Sequence, residues 1–66
     1  MPRYAEVEVK LSGEAENVFN TISIVRRSLM QAGVPFDLAT EYTDTAMRCG
    51  SYEELLRFTR ETVEVT

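Results

Sequence analysis

Residues 4–11 read Tyr-Ala-Glu-Val-Glu-Val-Lys-Leu, and the alternation in that stretch decides the fold class. Ala5, Val7, Val9 and Leu11 fall on one side of an extended chain; Tyr4, Glu6, Glu8 and Lys10 fall on the other. Apolar residues at every second position, two of them β-branched, describe a strand with one buried face. The same signature closes the sequence. In Thr62-Val63-Glu64-Val65-Thr66 the valines point one way and Glu64 the other. Two such strands can pair, in a relative direction that the pattern leaves open. A two-stranded ribbon is marginal in water, so the intervening residues must cover its valine face.

Those residues read as three helices. Ser12-Gly13 breaks the first strand, and Glu14, Ala15, Glu16 and Asn17 lead into the first helix, where acids suit the positive end of the helix dipole. Val18, Ile22, Val25, Leu29 and Ala32 recur at spacings of four and three and form one stripe, which Phe19 and Met30 widen. Gly33 suits the left-handed position after the cap, Val34 can pack back on Leu29, and Pro35 forbids continuation. A second helix is expected from about Phe36 to Arg48, with Leu38, Tyr42 and Ala46 or Thr45 inward and Gly50 closing it. Its threonines are mediocre helix formers. Ser51-Tyr52-Glu53-Glu54 matches a capping box and opens a third helix, with Tyr52, Leu55, Leu56 and Thr59 inward. The predicted architecture is α+β, in the order β-α-α-α-β, as one domain over residues 1–66. Two terminal strands form a small sheet covered on one face by the helices.

Size and charge bound the function. A single core in a chain of 66 residues rarely supplies more than about 3–5 kcal/mol without a disulfide or metal. The one cysteine allows no internal disulfide. Self-association is the expected remedy, and the free edges of a two-stranded sheet invite it as well. The net charge of −4, from eleven acids against seven bases, does not suit a general nucleic-acid binder or an anionic membrane surface. No apolar run approaches the ~20 residues that span a bilayer, and a lone thiol fits a reducing cytoplasm.

The chain contains no histidine. That removes the commonest general base and metal ligand. No Ser-His or Cys-His couple can be built within one chain, and no glycine-rich phosphate loop is present, since Gly13, Gly33 and Gly50 each stand at an element boundary. The carboxylate pairs Glu14/Glu16, Glu41/Asp44 and Glu53/Glu54 read as solvated surface. Cys49 reads as a small buried hydrophobe, although Arg48 beside it would favour a thiolate. No catalytic residue, metal or cofactor is expected, and the chain reads as a non-enzyme.

Binding remains. Asn17 and Asn20, at the start of the first helix, and Arg26 and Arg27, further along it, are the candidate contacts for an anionic small molecule. Guanidinium suits planar anions, though the two arginines diverge by ~100° around the helix; three-helix packing can bring one of them near Arg57 or Arg60. Tyr4, on the polar side of the first strand, and Phe36, in an apparent exposed turn after Pro35, are the candidate interface residues.

VEVKLSGE at 7–14, Asn17 with Phe19, VRRSL at 25–29, AGVP at 32–35, SYEELLR at 51–57 and the closing VEV resemble a group of small uncharacterised phage and bacterial proteins with no assigned activity. The likeness spans nearly the whole chain. It departs at Ala15 and Glu16, where glycine or aspartate is usual, at Phe36 and Thr40 to Thr45, where more charge is usual, and in lacking a tryptophan before the last strand. The resemblance implies a phage or prophage origin. The leading expectation is a homo-oligomeric interaction module that binds a host protein in the host cytoplasm. The alternative is an oligomer that sequesters an anionic small molecule such as a signalling nucleotide.

Overall fold

Strands β1 (Tyr4–Val9) and β2 (Val63–Val65) lie side by side and run parallel. Parallel neighbours need a long crossover, and helices α1 (Val18–Gln31), α2 (Phe36–Met47) and α3 (Tyr52–Thr62) supply it. The computed structural model describes residues 1–11 and 17–66, so the residues expected to open the first helix, Ser12 to Glu16, lie outside the described residues. The architecture is the β-α-α-α-β arrangement that the alternation predicts.

The strand register carries an irregularity. Tyr4 pairs with Val63, Glu8 with Glu64 and Val9 with Val65. Between the first two pairs β1 advances four residues while β2 advances one, so the surplus bulges out of the ladder. A bulge breaks period-two alternation, and the side chains show it. Val7 and Val9 are buried, but Ala5 is exposed and Tyr4 is half-buried against the core. The expectation that Tyr4 stands on the polar sheet face is therefore corrected. Its ring also lies 5.5 Å from the Arg3 guanidinium.

Val9, Val25, Leu29, Leu55 and Val63 form the fully buried centre, one or two from each of four elements. From α2, Ala39, Tyr42 and Ala46 complete it. The Tyr42 ring stacks on Phe58 with centroids 5.3 Å apart, and its hydroxyl shares a 2.9 Å hydrogen bond with the buried Thr59 hydroxyl. Phe19 and Met30, expected to widen the buried stripe of α1, are exposed instead. The buried arc is set by Thr21, Ile22, Val25 and Leu29. Phe19 and Met30 sit at its margin.

The helix ends follow local chemistry. Asn17 caps α1: its Oδ1 accepts from the N–H of Phe19 at 2.8 Å and of Asn20 at 3.4 Å. At the other end Val34 N–H donates to Leu29 O and Gly33 N–H to Met30 O, at 3.0 and 3.1 Å, the paired bonds of a Schellman motif. Gly33 has φ +91°, and nothing lies within 4 Å of where a Cβ would stand. Gly33→Ala should therefore cost about 1–2 kcal/mol through backbone strain alone, read as a lower urea midpoint with an unchanged slope. Ser51 caps α3 by accepting from Glu54 N–H at 3.2 Å. Glu54 reaches back one residue beyond the N-cap that the motif names: its Oε2 accepts from Gly50 N–H at 2.9 Å.

Candidate interaction surface

Helices α1 and α2 form a hairpin around the turn at 32–35. Arg26, late in α1, holds its guanidinium 5.5 Å from the centre of the Phe36 ring at the start of α2. That contact is a cation–π pair between the two helices, which the shared core residues hold alongside each other. Between them runs an open groove of about 320 Å³.

Two stripes of side chains face this groove or border it. On α1 the stripe is Phe19, Ser23, Arg26 and Met30, at spacings of four, three and four. On α2 it is Phe36, Thr40, Thr43 and Met47, at the same spacings. Each begins with a phenylalanine and ends with a methionine. Phe19 is 65%, Phe36 62% and Met47 57% exposed. The Thr40 Oγ1 is buried at the groove without a hydrogen-bond partner, whereas Thr43 donates to Ala39 O at 3.0 Å.

Charge is divided between the two helices. α1 carries Arg26 and Arg27 and no acid; α2 carries Asp37, Glu41 and Asp44 and no base. Arg27 and all three acids are exposed.

Protein families, curated proteins and solved structures offer no match to this chain.

The structure brings together two expected residues from different groups, Arg26 and Phe36, and separates the rest. Arg26 and Arg27 line a shallow hollow of about 460 Å³ with Ser23, Met30 and Gln31. Arg57 and Arg60 line a different hollow, beside Met1 and Pro2, in the company of Glu53 and Glu61. The side-chain oxygen of Asn17 is committed to the helix cap, and Asn20 is exposed and lines neither arginine hollow. Tyr4 lines a separate hollow with Arg3, Glu41, Tyr42 and Phe58. Phe36 is exposed as expected, but as the first residue of α2 rather than in a turn.

Cys49 is half-buried, and its Sγ contacts Thr45 O at 3.7 Å. Among the described residues no cluster of three or more metal-ligating side chains is present, and no helix is long and apolar enough to cross a membrane. Sequence reading missed the seam as a unit because it placed Phe19 and Met30 in the core. The repeated four-three-four spacing with matching ends was the available signal.

Proposed function

We propose that the chain is a non-enzymatic interaction module of phage or prophage origin that self-associates and engages a host protein in the host cytoplasm. One observation carries the reading. Three large apolar side chains, Phe19, Phe36 and Met47, stand mostly in solvent around a single groove. A concentrated exposed apolar patch on a small domain marks a contact surface. The absence of histidine turns the reading further from catalysis.

Capture from host extract tests it, with wild-type bait against a Phe36→Ser, Met47→Ser double variant. A host protein retained by the wild type and lost by the variant is the expected result. Truncating an aromatic hot spot weakens binding by roughly thirtyfold or more. Retention of the same protein by both baits would remove the groove from the interface.

A second reading has one observation in its favour: Arg26 and Arg27 share a hollow. An anionic small molecule bound there at a hundredfold excess over its dissociation constant would add about 2.7 kcal/mol of stability. A panel of nucleotides in a thermal-shift assay separates the readings. Stabilisation that Arg26→Ala, Arg27→Ala abolishes supports sequestration.

A further inference from the structure

We propose that the α1–α2 face is the contact surface of a two-fold homodimer in which α1 of each copy lies along α2 of the other. The inference rests on the interaction reading above and names the occupant of its groove: a second copy of this chain.

Spacing is the first ground. Apolar side chains recurring at spacings of three and four form the seam by which one helix receives another, knobs into holes. Here the ends of each stripe are apolar, Phe19 and Met30 on α1 and Phe36 and Met47 on α2, with polar residues between them, and all four are exposed on the side that the core leaves open. Small hydroxyl residues hold the middle of the α2 seam, Thr40 and Thr43, where a neighbouring backbone can approach closely.

Charge selects the arrangement. A two-fold axis lying across the hairpin sets α1 against α1 and α2 against α2. Arginines then face arginines, and Asp37 and Asp44 face their own copies. An axis running along the hairpin sets the two arginines of α1 against Asp37 and Asp44 of α2, twice, while Glu41 lines the hollow beside Arg3 and Tyr4. Opposite charges steer that encounter and like charges oppose the other.

The same axis keeps each residue at its own level along the helices. Phe19 then meets Met47 of the second copy, and Met30 meets its Phe36. Sulfur–aromatic contacts of this kind are favourable at about 5 Å.

Size is the third ground. The molecule measures 27 × 22 × 20 Å. A face of that size from each copy approaches the roughly 1,000 Å² total that a specific interface requires. It also extends a core that is small for independent stability.

Sedimentation velocity from micromolar to millimolar protein tests the proposal. The wild type should be a dimer. Arg26→Glu with Arg27→Glu makes α1 acidic; Asp37→Lys with Asp44→Lys makes α2 basic. Each variant alone should dimerise about a hundredfold more weakly, since like charges are now apposed. Mixed in equal amounts, the two should form a heterodimer, because each supplies the charge that the other lacks. Circular dichroism confirms that both fold, and the milder Arg27→Glu alone should give a smaller weakening.

A wild type monomeric at every concentration overturns the proposal. So does a charge-reversed variant that dimerises as well as the wild type, or a mixture of folded variants that forms no heterodimer. These results separate from those of the capture experiment. A monomer that still retains a host protein through Phe36 and Met47 leaves the interaction reading standing without the dimer. A dimer that retains no host protein leaves the dimer standing without the host.

Discussion

Leu29→Ala should bring the protein to the edge of unfolding at room temperature. Leu29 has no exposed surface and sits at the middle of the core. Removing a buried leucine side chain costs about 2–5 kcal/mol, the spread reflecting how well the cavity collapses. A core of this size supplies roughly 3–5 kcal/mol in total, so one truncation uses most of it. Urea titration followed by circular dichroism checks the expectation: the midpoint should fall close to zero denaturant. Leu29→Met conserves volume and should cost less than about 1.5 kcal/mol. A loss below about 1 kcal/mol for Leu29→Ala would mean that α1 is not packed as described. Protein concentration must be held fixed throughout, because a dimer's apparent stability rises with it.

The second large effect concerns the pair of buried hydroxyls. Tyr42 and Thr59 are both buried and bond to each other at 2.9 Å. Tyr42→Phe and Thr59→Val each leave the other hydroxyl buried without its present partner, at about 1–3 kcal/mol. Changing both removes the unpaired group, so the double variant should be nearly as stable as the wild type. The coupling energy of that cycle is the measurement, and additive losses would show that the bond contributes little. The pair also predicts a pH response. Burial pushes the Tyr42 phenol up, with the Thr59 hydrogen bond opposing it and the nearby Cys49 adding to it. An unfolded tyrosine ionises near about pH 10, whereas the folded one holds its proton longer. The stability linked to it is therefore complete below about pH 10 and is lost as pH rises toward the folded value. Tyr42→Phe should lack that alkaline decline.

Periodicity made the element order legible. Alternating valines gave both strands, and Gly33 with Pro35 and Ser51 with Glu54 marked helix ends that the structure keeps. What stayed hidden depends on contacts made far along the chain. The bulge that turns Tyr4 inward and Ala5 outward comes from the register against β2, and β1 alone carries no sign of it. Strand direction likewise follows from where three helices return the chain. Phe19 and Met30 looked like core because the buried width of a helix is set by its neighbours, and both fall outside the arc of α1 that the core covers. Of the candidate site, Arg26 and Phe36 were visible as separate residues. Their contact was not, because they stand ten positions apart and meet only once the hairpin closes.

The parallel pairing of β1 with β2 has a mechanical consequence. Arg3 N–H donates to Glu61 O beside the start of both strands, and Thr66 N–H donates to Val9 O beside their finish. The chain thus leaves the sheet in opposite directions at its two ends. Tension applied at Met1 and Thr66 pulls the strands past each other lengthwise, so the bonds between them share the load and must yield together. A hairpin pulled at its open end would unzip one bond at a time. This small domain therefore has the geometry of a shear clamp, and the rate at which it gives way under force is set by its unfolding barrier rather than by its modest equilibrium stability.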